Sequence, residues 1–239
     1  MSWYEVSRVD DLVTRIEEPH VDDLLRANTW LVGDVLVDAG LGVVPLRPLL
    51  PPVTHVVLTH AHLDHMGAAH EFDRVSAHPL EPVDQGGRGS LQGPALARIL
   101  GLPDALPALM IEELPYEDYD PSAYRLEPVR TSRPVNDGDL VGRLRVLHLP
   151  GHTRGSIALL DEERRTLFSG DVIYDGRLLD ELPESNRDDY RRSLQRLLAL
   201  DIDTVHPGHG DSFSGDRLRE LVDNYLASGT TRHAVEPSE

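Results

Sequence analysis

The feature that most constrains this chain is the run Thr59-His60-Ala61-His62-Leu63-Asp64-His65-Met66-Gly67. Three imidazoles and a carboxylate within six residues are costly to bury unless something pairs with them. The run directly follows Val53-Thr54-His55-Val56-Val57-Leu58-Thr59, which is β-branched and apolar enough for a buried strand. It therefore sits at a strand's C-terminal end, where α/β folds tend to place their sites. In extended backbone His60 and His62 project to the same side and can grip one metal ion. Asp64 and His65 follow after the chain turns, so they can face a second ion, and Gly67 is expected to free the backbone for a helix starting near Ala68. The chain has no cysteine, which leaves His, Asp and Glu as its strong metal ligands.

Two ions need more ligands than one loop supplies, and the rest of the chain offers them in matching contexts. His152 lies in Pro150-Gly151-His152-Thr153, directly after a predicted strand over Leu144–Leu149. Asp171 lies in Ser169-Gly170-Asp171, after a strand over 166–169, and His209 lies in His206-Pro207-Gly208-His209-Gly210, after a short strand at 204–206. Each is a His or Asp at a strand end with glycine beside it, so four strand ends are expected to converge on one edge. His206, one strand position too early, reads as structural, and His55, His70, His78 and His148 read as packing or surface residues.

Short strands dominate both halves of the chain. Residues 30–38 read as a strand pair around Gly33-Asp34, and Ser156–Leu160 as a strand. Val43–Leu50 reads as a short helix ending before Pro51-Pro52, and Pro94–Leu100 is also helical in pattern. Amphipathic helices are predicted over Arg187–Leu200 and Ser214–Ser228, with Ser214 as N-cap. Residues 85–133 hold many Gly and Pro residues and an acidic patch, and read either as an inserted lid that shapes a substrate pocket or as a plain surface excursion. Strands in both halves with helices outside predict two sheets packed face to face between helical layers, as one domain over 1–239.

These motifs resemble the metallo-β-lactamase superfamily from Val37-Asp38-Ala39-Gly40 through His209. The resemblance implies an α+β fold: a four-layer αββα sandwich of two mixed β-sheets with helices outside. By position, it implies His60, His62 and His152 as ligands of the first metal. Asp64, His65 and His209 would bind the second, Asp171 would bridge the two, and Asp38 would support the metal loop from beneath. Such nitrogen and carboxylate ligands suit two divalent ions, Zn²⁺ foremost and also Fe²⁺ or Mn²⁺. The implied chemistry is attack by a hydroxide shared between the ions on a carbonyl carbon, with Asp64 shuttling a proton to the leaving group. Consistently, no G-x-S-x-G nucleophile elbow is present.

Within the superfamily, Leu149–Ile157, Leu167–Gly176, Arg26–Val32 and Phe72–Val75 resemble the acyl-coenzyme A thioesterase branch. That resemblance implies a small-molecule thioester substrate and is poor in 85–133. Tyr174 follows Asp171 by three residues, as does a tyrosine in the superfamily's acyl-homoserine lactonases, whose hydroxyl contacts the substrate carbonyl. It is therefore a second catalytic candidate beside Asp64, for a thioester or a lactone alike, unless it simply packs under the site. A lactonase, a glyoxalase II-like thioesterase, an iron-dependent persulfide dioxygenase and a metal-binding protein without turnover remain open alternatives.

Composition trims the field. The net charge is −18 and every one of the 23 basic residues is arginine, so nucleic acid is a poor partner and the superfamily's nucleases are disfavoured. The excess acid sits awkwardly with polyanionic coenzyme A unless Arg154, Arg177 or an arginine cluster makes a local exception. Salt adaptation and a plain bias of arginine over lysine explain the composition equally well. The absent cysteine excludes the cysteine-ligated true β-lactamases, and His62 stands where flavodiiron oxygen reductases have Glu. No apolar stretch of about twenty residues spans a membrane, and the first residues lack a signal peptide's pattern. A soluble cytoplasmic protein is expected, with a homodimer left open.

Overall fold

Alternation of inward and outward apolar residues builds two sheets in the computed structural model, which describes residues 2–85, 89–102, 106–131 and 133–228. The first sheet contains β1 (Glu5–Arg8), β2 (Val13–Glu17), β3 (Thr29–Val32), β4 (Val35–Val37), β5 (His55–Val57) and β6 (Val75–Ser76), side by side in chain order. Its pairings are antiparallel up to β4 and parallel from β4 to β6. The second contains β7 (Leu140–Val141), β8 (Leu144–His148), β9 (Ile157–Asp161), β10 (Thr166–Gly170), β11 (Thr204–Pro207) and β12 (Phe213–Ser214), again in chain order. There only β10 and β11 run parallel.

The two-residue period decides what each face meets. Trp30, Val35, Val37 and Val57 of the first sheet share one buried cluster with Leu144, Val146, Ile157, Leu159 and Phe168 of the second, which places the sheets face to face. The alternate residues Leu31, Leu36 and Val56 point the other way, into an outer core with Leu41, Met66, Leu96 and Met110. Leu147, Leu160, Leu167 and Val205 do the same on the second sheet, against α3 (Arg187–Leu198) and α4 (Gly215–Ser228). The result is an α+β sandwich of two mixed sheets with helices outside. The Asn186 side chain caps α3 by accepting from Asp189 N at 3.0 Å. Ser214 caps α4 as its sequence position predicts, accepting from Arg217 N at 3.2 Å.

Two local expectations are corrected. The helix predicted over Val43–Leu50 shrinks to a single 3₁₀ turn, Arg47–Leu49. Pro51 drives Leu50 into extended backbone (φ −95°, ψ 150°) and ends it. The helix expected from Ala68 begins earlier, as α1 (Leu63–Met66), and only a 3₁₀ turn, Ala69–Glu71, follows. Gly67 itself has ordinary helical φ and ψ. Glycine is needed there because the turn after β4 presses against it: a Cβ would lie 2.0 Å from the Leu41 carbonyl oxygen.

Residues 85–133 include α2 (Gly93–Leu100) and bury Leu91, Leu96, Met110, Ile111, Tyr124 and Leu126 in the outer core of the first sheet. Among the described residues no helix is long and apolar enough to cross a membrane.

Beneath the turn after β4 lies a buried carboxylate, Glu18. It accepts from Trp3 Nε1 at 2.8 Å and from Leu41 N at 2.6 Å. Burial nevertheless pushes its pKa from 4.5 up to about 7. The unfolded chain releases this proton near 4.5 and the folded chain near 7. The contribution to folding is thus fully present below pH 4.5 and is lost as the pH rises through 7, a change of order 3 kcal/mol. Glu18→Gln, which cannot ionise, should therefore gain stability relative to the parent between pH 5 and pH 8 in urea unfolding. A parent–variant difference that stays constant with pH would show that Glu18 is ionised throughout.

Candidate metal centre

Four strand ends deliver the predicted residues to one place. The run from His60 leaves β5, His152 follows β8, Asp171 follows β10 and His209 follows β11. His62 Nδ1 lies 3.0 Å from both His60 Nε2 and His152 Nε2. In the second group His65 Nε2 lies 3.4 Å from His209 Nε2, and Asp64 Oδ2 lies 3.3 Å from His209 Nε2. Asp171 stands between the groups, with Oδ2 3.5 Å from both His152 Nε2 and His209 Nε2 and Oδ1 3.2 Å from His65 Nε2. Three trios able to hold a metal ion result: His60, His62 and His152 at one end, Asp64, His65 and His209 at the other, and His60, His65 and Asp171 between them. The Gly208 backbone packs so closely that a Cβ there would lie 2.3 Å from Asp171 Oδ1.

The outward-facing atoms of the five imidazoles fix what faces inward. His152 Nδ1 donates to the Leu179 carbonyl (3.0 Å) and His209 Nδ1 to the Arg26 carbonyl (3.1 Å). His65 Nδ1 donates to Asp38 Oδ2 (2.8 Å) and His62 Nε2 to Glu184 Oε1 (2.7 Å). Thr59 Oγ1 gives its proton to Asp38 Oδ2 (2.9 Å), so it accepts from His60 Nδ1 (3.0 Å). In its neutral form each ring therefore turns a lone pair to the centre. There the rings meet one another, Asp64 and Asp171, and Asp171 Oδ1 is buried without a hydrogen-bond donor. A cluster of acceptors without donors is satisfied by cations, and spacings near 3 Å suit ions bound at about 2.0–2.1 Å. The donor set fits two divalent metal ions.

The two outer trios differ electrostatically. Burial opposes charge on His209, but Asp171 and Asp64 overcome it and push the ring up to about 10. His65 is likewise held well above its usual value by Asp171, Asp64 and Asp38 against its burial. In the first trio, burial and the neighbouring imidazoles push His152 down to about 4 and His60 well below its usual range. Positive charge is thus favoured around the carboxylates, while His60 and His152 stay in the neutral form that ligates metal.

Four side chains support the cluster from outside it, and only Asp38 among them was expected from the sequence. Asp38, expected as a support, holds a left-handed backbone (φ 62°) and accepts from Thr59 N, Thr59 Oγ1 and His65 Nδ1. Thr59, its relay to His60, carries no pattern that marks it. Glu81 is buried between two metal loops, accepting from Ala61 N (2.7 Å) on one side and from Thr153 Oγ1 (2.6 Å) and Gly155 N (2.8 Å) on the other. Nothing local separates Glu81 or Glu184 from the chain's many other acids. The bond to His62 holds Glu184 below the usual carboxylate range.

Tyr174 comes to the second trio, its ring 5.8 Å from that of His209, but its hydroxyl donates to the Arg177 carbonyl (2.8 Å) and accepts from Leu179 N (3.2 Å). His206 stacks on Trp30 at 4.5 Å and bonds Ser212 Oγ, outside the cluster. His55 bonds Ser76 Oγ, His70 pairs with the Gly67 carbonyl, and His78 stacks on His148.

Fold and donor cluster together define a metallo-hydrolase of the metallo-beta-lactamase superfamily, and the chain belongs to that superfamily, whose sequence pattern matches residues 22–209. Among its relatives, the acyl-coenzyme A thioesterase MBLAC2 of Homo sapiens is 33% identical, covering 98% of this chain and 91% of that protein. The Gallus gallus counterpart is 34% identical over the same shares. Among solved structures, TTHA1623 in a di-iron-bound form is 31% identical, with a TM-score of 0.60 over 84% of this chain and 96% of that one. The chain is a metal-dependent hydrolase of the branch that contains these thioesterases.

Asp38 braces His65 directly and His60 through Thr59. Asp38→Asn should therefore weaken metal binding by about 10–100-fold in chelator competition. Parent-like affinity would remove Asp38 from the support of the site.

Proposed function

We propose that this enzyme hydrolyses thioesters of the acyl-coenzyme A type, with zinc as the preferred metal and iron or manganese as substitutes. The observation that carries this reading is an open cavity of about 650 Å³ beside His62. Leu63, Leu80, Ile99, Leu100 and Leu126 give it apolar walls; His62, Glu81, Gln85, Thr153, Arg154 and Glu184 are its polar members, and Arg154 is its one arginine. Its size falls in the range of roughly 300–1,000 Å³ usual for small-molecule sites, and its walls suit an acyl group. Arg154 makes no ion pair among the described residues, whereas Arg177 is paired with Glu181. Arg154 is thus a local cation available to a phosphate in a strongly acidic chain. The likeness to the MBLAC2 thioesterases supports the same reading.

In this proposal His60, His62 and His152 hold one ion, Asp64, His65 and His209 the other, and Asp171 both. Ions bound there would activate water at neutral pH and polarise the substrate carbonyl. Asp64 carries the proton of the attacking water toward the leaving sulfur. Residues 85–133, part of the one domain, act as the lid: Ile99, Leu100 and Leu126 cover the acyl group and exclude water. Tyr174 steadies the developing oxyanion by exchanging one acceptor, the Arg177 carbonyl, for another, while still accepting from Leu179 N.

Metal-quantified protein should turn over acyl-coenzyme A thioesters in preference to lactones, and chelation should abolish the activity. Lactone preference would replace the substrate, and oxygen uptake with persulfides by iron-loaded protein would replace the reaction. Tyr174→Phe should lower kcat by about 10-fold or more with metal content unchanged. Undiminished turnover would confine the hydroxyl to closing its own loop.

A further inference from the structure

Two carboxylates back imidazoles of the cluster, one in each outer trio, and their surroundings are opposite. Asp38, behind His65, has a side chain only 2% exposed. Glu184, behind His62, is 40% exposed and lines the same cavity as Leu63, Leu100 and Leu126. Its placement is held by the neighbouring backbone. Asn186 N bonds the Gly151 carbonyl (2.8 Å), Ser185 Oγ bonds the His152 carbonyl (2.7 Å), and the Leu179 carbonyl accepts from His152 Nδ1 (3.0 Å). The segment that carries Glu184 is thus stitched to the His152 loop on both sides of it, and one short stretch of chain sets the outer partners of two first-trio rings.

We propose that Glu184 is a positioning residue that couples occupancy of the cavity to the grip of the first trio on its metal ion. A ligand that fills the cavity removes water from Glu184. A charge-assisted hydrogen bond strengthens as water leaves, so Glu184 then draws harder on the His62 Nε2 proton and makes Nδ1 a better donor to metal. The converse holds as well. Burying a carboxylate under an apolar ligand is costly, and a cation held through His62 offsets that cost. Metal and cavity ligand therefore tighten each other by the same factor. The inference rests on the metal and acyl readings of this site but does not require thioester turnover.

Zn²⁺ affinity of the full chain, titrated against a chromogenic chelator with and without 1-decanol, tests it. The alkanol is a neutral apolar probe of the cavity. In the parent, decanol should raise Zn²⁺ affinity. Glu184→Ala should lower the basal affinity by about 10–100-fold and abolish the decanol effect. Glu184→Gln, which keeps an acceptor and loses the charge, should recover part of the basal affinity and little of the coupling. Glu184 is half-buried in a turn outside the helices and strands, and equal circular dichroism spectra would verify that both variants fold. Parent-like Zn²⁺ affinity in Glu184→Ala, or a decanol effect that is absent in the parent or persists in that variant, would overturn the proposal. A parent inactive on thioesters but showing the coupling would overturn only the substrate.

Discussion

The site depends on hydrogen bonds that point away from it. Five imidazoles turn their lone pairs to a centre that also holds Asp64 and Asp171. Such a concentration of acceptors repels itself unless cations sit within it. Each ring keeps its inward orientation because its other nitrogen is committed outward: to a carbonyl for His152 and His209, a carboxylate for His62 and His65, and a hydroxyl for His60. Asp38 is the deepest of these anchors. Through three accepted hydrogen bonds it ties the end of β4 to Thr59 at the end of β5 and to His65 on α1. Its left-handed backbone is tolerable because those partners over-determine it.

The sandwich supplies the rigidity this needs. Both sheets bury one face against the other and the opposite face beneath helices or loops, so the ends of β5, β8, β10 and β11 are fixed relative to one another. The loops leaving those ends are then stitched by polar groups. Glu81 joins the His60–His65 loop to the Thr153–Gly155 loop, and Ile157 N reaches across to the Thr59 carbonyl (2.9 Å). Next to this stiff centre, the cavity is walled by Ile99 and Leu100 of α2 and by Leu126 on one side, and by His62, Thr153 and Glu184 on the other.

How legible these features were varied with how local they are. The strands around Gly33-Asp34 and the strands and helices from Leu144 onward follow from period and capping, and they form close to where the pattern places them. The helix over Val43–Leu50 failed because Pro51 and the close approach of the Leu41–Gly42 turn to Gly67 outweighed helical periodicity. Glu18, Glu81 and Glu184 were invisible among 41 acidic residues. A carboxylate's importance here comes from burial or from a partner tens of residues away, and neither leaves a local trace.

The sequence by itself determined the chemistry. The spacing of His60, His62, Asp64 and His65 in an extended-then-turning backbone, with His152, Asp171 and His209 at glycine-flanked strand ends, picks out the residues that the structure brings together. The absence of cysteine and of lysine bounds what else those residues and the surface can do. Only the tertiary structure decided which nitrogen of each ring faces the centre of the cluster, which carboxylates brace the rings, and that an open cavity with apolar walls lies beside His62. The reason is physical: ligand identity is a property of residue type, whereas tautomer, desolvation and cavity shape arise only when segments distant in the chain are packed against one another.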